Sequence, residues 1–201
     1  MSGLFDPFLP TSVHTLAFAS SALAKVARDM ASGHLHDHLL LHGDPGCGKS
    51  HLAGLIVSNR YPQLSLSMRT YEGALWDANS LSSIVGQMNW DSISGITQHY
   101  TVINEVDQMS DKDRERLKAF MDGQPLMKFV MTTNAPGKIS GALRSRSNLF
   151  HMQMMPAPHI VPIVQQAAQS LGKTASTARA LAEIAASNGD WRRLEQRVHA
   201  I

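Results

Sequence analysis

The chain has 201 residues, 43% of them hydrophobic, a formal net charge of +2 at pH 7 and one cysteine. That content suffices for one large domain or a core domain with a small partner, and a single cysteine excludes an internal disulfide. No apolar run approaches the roughly 20 residues of a membrane span, the Met1 region lacks a signal-peptide pattern, and so small a charge confines any DNA surface to a local patch; a globular, cytoplasmic protein with no membrane partner is predicted.

Residues 1–15 carry Pro7 and Pro10 and predict an extended lead-in. Leu16, Leu23, Ala27 and Met30 then share one helical face, and Gly33 is placed to end that helix. His34, His36, His38 and His42 crowd a strand entrance. They are read as solvent-facing rather than as a metal set, because zinc sites use more enclosed ligands, often with cysteine or carboxylate. Leu39-Leu40-Leu41 predicts a buried strand, and Leu52, Leu55 and Ile56 give the apolar stripe of the following helix.

Between strand and helix stands His42-Gly43-Asp44-Pro45-Gly46-Cys47-Gly48-Lys49-Ser50, which matches the phosphate-binding pattern GxxxxGK[ST] at every fixed position. Glycines let the backbone fold around phosphate without Cβ clashes, and the helix starting at Lys49 adds its positive end. Gly43, Asp44, Pro45, Gly46, Cys47, Gly48, Lys49 and Ser50 are therefore the expected nucleotide-binding residues. Lys49 is expected to reach the β- and γ-phosphates, and Ser50 to place its hydroxyl on Mg²⁺. Cys47 is read as a small tolerated residue in preference to a redox switch.

Alternation over 64–68 predicts a second strand. Leu81, Ile84 and Val85 suggest a helix, while Trp76 and Trp90 stay open as packing anchors or exposed stacking surfaces. Tyr100-Thr101-Val102-Ile103 predicts a strand ending in Asn104-Glu105-Val106-Asp107, and Leu117, Phe120 and Met121 a helix. Residues 128–134 predict a strand with its polar end at the same sheet edge, and 149–154 a fifth strand. After Pro156 and Pro158 the strand signal stops. Three helical patterns follow: Ile160, Ile163, Val164, Ala167 and Leu171; then Ala178, Leu181, Ile184 and Ala185; then Trp191, Leu194, Val198 and Ile201. The prediction is an α/β fold: a parallel αβα core over residues 1–155, a three-helix lid over 156–201, and ligand beyond the carboxyl ends of the strands.

Four further motifs resemble those of AAA+ ATPases. Asn104-Glu105 at a strand end resembles the second acidic motif, in which the first acid holds hydrated Mg²⁺ and the second polarises the attacking water; the resemblance makes Glu105 the general base. Asn134 matches the polar sensor that positions that water. Ala142-Leu143-Arg144-Ser145-Arg146-Ser147 looks like the clamp-loader segment bearing the arginine finger, where the usual form ends Ser-Arg-Cys. By that match Arg146 serves a neighbour's nucleotide, which implies a homo- or hetero-oligomer. Gly189-Asp190-Trp191-Arg192 resembles the lid motif whose arginine contacts the γ-phosphate. The helix from Asp113 to Asp122 also looks like the family's helix after the acidic motif. The resemblance is to the clamp-loader branch, including phage and archaeal or eukaryotic small subunits, and covers nearly the whole chain.

The chain departs from the pattern twice. Asn104 stands where aspartate is usual, so metal retention at Asn104 and Ser50 is expected to lean on Ser50 and phosphate, with slower turnover. The collar domain through which clamp-loader subunits assemble is also expected to be absent, leaving the ATP interface, a partner protein or DNA. The implied function is an ATP- and Mg²⁺-dependent loader or remodeller in DNA replication, with DNA and a sliding clamp or helicase as partners. A helicase loader or transposition regulator, and a non-catalytic ATP-binding adaptor, stand as alternatives. Lys112, Arg114 and Arg116 share a helix but are equally a solvated charged face.

Overall fold

Side chains alternate across a strand, so Leu39 and Leu41 of β1 (His38–His42) face one side of the sheet and Leu40 the other. All three are fully buried, which requires a layer on each face. The computed structural model, which describes residues 3–201, supplies both. Met1 and Ser2, where the leader reading began, lie outside the described residues. Leu39 and Leu41 join Tyr100, Val102 and Val130, together with Met30 of α1 (Ser21–Ser32) and Leu52 and Ile56 of α2 (Lys49–Arg60). Leu40 joins the opposite cluster. There it meets Ile103, Phe129 and Met131, Ile84 of α3 (Ser80–Ile93), Leu117 and Met121 of α4 (Asp111–Gly123) and Leu143 of α5 (Gly141–Ser145).

The remaining strands are β2 (Thr70–Glu72), β3 (His99–Asn104), β4 (Met127–Thr133) and β5 (Ser147–His151), and every pairing is parallel. The order across the sheet is β2-β3-β4-β1-β5, giving the predicted parallel αβα architecture. His42, Asn104 and Thr133 therefore end on one edge. After Pro156 come α6 (Ala157–Ser170), α7 (Thr177–Ala186) and α8 (Trp191–His199), whose Ile160, Val164, Ala180, Leu194 and Val198 extend the first cluster. No helix among the described residues is long and apolar enough to cross a membrane.

Several boundaries move from their predicted places, each for a tertiary reason. The 64–68 alternation is not a strand: Leu66–Arg69 form a 3-10 turn in which the Leu66 carbonyl accepts from the Thr70 hydroxyl at 3.0 Å. Pairing with β3 begins at Thr70, after Arg69 has been drawn into a buried ion pair with Asp91, which also meets His99 Nδ1 at 3.2 Å. The fifth strand starts earlier than 149, because Ser147 and Asn148 are in register with His38 and Leu39 and an edge strand tolerates polar residues. Leu16 is buried but precedes α1. The lead-in contains a 3-10 turn, Asp6–Phe8. In α7 the buried face is Ala180, Glu183 and Ile184, with Leu181 exposed, since Glu183 turns inward to Arg179 and Arg197.

The histidines also divide. His34 and His36 are exposed, but His38 is buried, lies stacked on Phe129 with ring centroids 5.8 Å apart, and accepts from the Phe129 N–H at 3.1 Å. Burial, with Lys128 nearby, lowers its pKa to about 4, so it is a neutral core histidine. Trp76 packs edge-on against Tyr71, whereas Trp90 is exposed.

Candidate active site

The loop between β1 and α2 turns on glycines at positive φ: Gly46 at 77° and Gly48 at 102°. A Cβ on Gly46 would fall 2.0 Å from Asp190 Oδ1, so the loop and the start of α8 approach more closely than any side chain permits. The Trp191 N–H donates to the Gly46 carbonyl at 3.0 Å and closes the contact. Ser or Asp side chains cap α1, α4, α5, α7 and α8, while α2, α3 and α6 have no side-chain cap, and of these α2 begins in the loop, at Gly48, with Gly48, Lys49 and Ser50 lining the cleft. Its first-turn N–H groups and positive end thus face the cleft, a fit for phosphate. Lys49 is buried and its Nζ donates to the carbonyls of Gly43 at 2.9 Å and Asp44 at 2.8 Å. Cys47 is buried too, and burial pushes its thiol up against the opposing pull of Lys49, which makes it an unreactive packing residue. Desolvation, with His151 and Lys49 close by, holds the His42 imidazole below its ordinary value.

Across the cleft, Glu105 follows β3 in a left-handed conformation, φ 51° and ψ 51°, uncommon for a residue with a side chain. Three contacts impose it. The Glu105 N–H donates to Thr132 Oγ1 at 3.0 Å; Gly73 passes so close that a Cβ there would lie 2.1 Å from the Glu105 carbonyl; and Asn134 Nδ2 donates to Glu105 Oε1 at 3.3 Å. Gln108 donates to the other carboxylate oxygen at 3.3 Å. Asp107 holds the end of β4 in turn, accepting from Thr133 Oγ1 at 2.7 Å and the Asn134 N–H at 3.3 Å.

These groups share a cleft of about 260 Å³ lined by Gly46 through His51, Glu105, Thr132, Asn134 and Arg192, with an apolar wall that includes Leu9, Leu16, Met155 and Trp191. Phe5 meets Trp191 edge-on at 5.3 Å and backs that wall. The polar end suits a phosphate chain, with Ser50 as the hydroxyl for a divalent cation, and the apolar end suits a flat base.

Of the predicted residues, Gly43, Asp44 and Pro45 belong to the loop without lining the cleft, and two more stand elsewhere. Asn104 is buried and does not line the cleft; its Nδ2 donates to Glu72 Oε1 at 2.9 Å and its Oδ1 accepts from Thr132 Oγ1 at 3.4 Å. Arg146 lies just before β5, whose first residue pairs with His38 at the opposite end of β1 from the phosphate loop. Four strand rises, about 13 Å, separate it from its own loop. Its Nε and Nη2 are held by Asp122 Oδ1 and Oδ2 at 2.7 and 2.8 Å. The Arg146 hydrogen bond holds the Asp122 carboxyl below its ordinary value.

Sequence reasoning passed over Thr132, Asp107 and Gly73 as site-builders, and Leu9, Leu16 and Trp191 as the wall. Asp107 stood within the acidic run and Trp191 within the Gly189–Arg192 motif, so both had a usable signal; the others have none, because their roles arise from strand neighbours and chain crossings.

The model of the ATPase family associated with various cellular activities (AAA) matches residues 39–156. No curated protein sequence matches the chain. Among solved structures, the RuvB Holliday junction branch migration motor of Thermotoga maritima is similar with a TM-score of 0.69 at 20% identity, over 94% of this chain and 63% of that one. Two point variants of the Thermotoga maritima RuvB give 0.70 at 19% identity, covering 94% and 64%, and 0.69 at 18%, covering 94% and 63%. The chain spans a little under two thirds of those structures, and at such identities the likeness is one of fold.

Proposed function

The chain belongs to the AAA family of ATPases, and from that premise we propose that it is a clamp-loader-like subunit that uses ATP and Mg²⁺ to load or remodel a DNA-associated partner in replication. The observation that carries the catalytic part is Glu105, forced into a left-handed turn with its carboxylate bonded to Asn134 in the cleft that also holds Lys49 and Arg192. Residues 1–155 act as the nucleotide-binding core, and residues 156–201 as a lid fastened to the loop through Trp191 and Gly46.

In this reading the uncapped start of α2 and Lys49 hold the β- and γ-phosphates, and the apolar wall takes the base. Ser50 would hold Mg²⁺, which would supply charge neutralisation at the phosphate oxygens. Asn134 and Glu105 orient water; oxygen attacks the γ-phosphorus, its proton passes to Glu105, and the bond to the bridging oxygen breaks with the electron pair leaving on ADP. Arg192 reaches the cleft from its own chain. Arg146, about a strand length away, serves the cleft of an adjoining molecule. A DNA role is supported by the motif resemblance and by the fold shared with a branch migration motor.

ATP turnover followed against protein concentration, with and without primer-template DNA and a sliding clamp, tests this. Turnover per subunit should rise with concentration and rise again with clamp and DNA. A persistent monomer without ATP or DNA affinity would remove the reading, and stimulation by single-stranded DNA and a helicase instead would move it to a helicase loader. The adaptor reading draws on Asn104, whose amide faces Glu72; absent turnover in the native chain, restored by Asn104→Asp, selects it.

A further inference from the structure

An arginine has five N–H donors. In Arg146 three are used: Nε and Nη2 on the two oxygens of Asp122, and Nη1 on the Ala142 carbonyl at 2.8 Å. One donor on each terminal nitrogen has no acceptor among the described residues. The carboxylate thus grips the guanidinium from the side, and the free donors belong to the terminal pair, which can meet two oxygens of one phosphoryl group. Asp122 stands on the last turn of α4 and Arg146 at the end of α5, so the grip also sets the finger against the layer below the sheet. Both side chains are partly exposed, and an exposed ion pair adds little to stability. Its effect must be sought in orientation.

We infer that Asp122 is a positioning residue for the finger: it holds the Arg146 guanidinium so that the two terminal nitrogens are presented to the phosphoryl group in an adjoining molecule's cleft. The inference rests on the proposed trans-acting role of Arg146. It adds that the finger is aimed before the neighbour arrives, which reduces the ordering cost of completing the shared site.

Mixed assemblies separate the two ideas. Full-length Arg146→Ala serves as acceptor, with an intact cleft and no finger. Lys49→Ala serves as donor, with an intact finger and no phosphate grip. The donor should restore ATP hydrolysis to the acceptor. A donor that also carries Asp122→Ala, or the shape-preserving Asp122→Asn, should lower the restored kcat about tenfold, with KM for ATP and the titration midpoint unchanged, and Asp122→Glu should recover most of it. Equal restoration by the Asp122 donors would overturn the positioning role and leave the finger reading standing. A shifted midpoint with unchanged kcat would make Asp122 an assembly contact and overturn it too. No restoration by the Lys49→Ala donor would overturn the finger reading and the inference with it.

Discussion

At the carboxyl edge of the sheet, polar groups are held in arrangements that leave bonding capacity aimed at the chain's own cleft, whereas at the amino edge they pair with one another, with Arg146 keeping two donors free. The carboxyl edge has an uncapped α2, a left-handed Glu105 and a Lys49 ammonium resting on loop carbonyls. The amino edge has His38 accepting from Phe129, Asp91 shared by Arg69 and His99, and Arg146 gripped by Asp122. The same parallel strands produce both edges. Backbone strain and unpaired donors collect around the cleft, and closed pairs at the opposite edge, the two free donors of Arg146 apart.

The comparison breaks first, and with the largest effect, at Asp91. Asp91→Ala leaves the buried Arg69 charge uncompensated and should cost about 3–5 kcal/mol in denaturant unfolding. A loss near zero would mean that Arg69 finds another partner. At the opposite edge Glu105→Gln should lower turnover about a hundredfold, or about 2.7 kcal/mol, while equilibrium ATP binding holds. Loss of binding in step with turnover would instead make Glu105 part of the ligand grip.

His38 predicts a pH dependence confined to the amino edge. Its pKa is lowered to about 4 from 6.5, so the unfolded chain binds the proton more readily. Stability from this group is complete above about pH 6.5 and is lost as pH falls toward 4. Unfolding at pH 5 should therefore cost about 2 kcal/mol less than at pH 7, and His38→Gln should flatten that slope. The smallest change concerns Asn104, whose amide donates to Glu72. Asn104→Asp sets two carboxylates together and should destabilise the chain by about 1–2 kcal/mol, with Glu72→Gln in the double variant restoring most of it.

How much of this was legible from sequence depended on the range of the interactions. The strand before the loop, the loop and α2 lie within a few residues of one another, and Leu39-Leu40-Leu41 declares burial on both faces through its composition alone. Glu105 and Asn134 could be nominated from strand-end positions, but their 3.3 Å contact bridges residues on two strands. The 64–68 stretch misled because period-two alternation also suits a chain laying Leu64 and Leu66 against the core, while strand pairing waits for β3. Leu181 misled because the helical period cannot foresee that a glutamate two residues on, across the same turn, will bury itself between two arginines.

By itself, the sequence determined what is local: a phosphate-cradling turn, the buried strands β1, β3 and β4 alternating with helices, and three terminal helices. Such features depend on periodicity and on residues within one or two turns of each other. Only the tertiary structure decided which groups meet: Trp191 with Gly46, Gly73 with Glu105, Asp122 with Arg146, and Asn104 with Glu72 rather than the cleft. Those meetings follow from strand order and chain crossing, where a residue's partner lies dozens of positions away and no spacing rule records it.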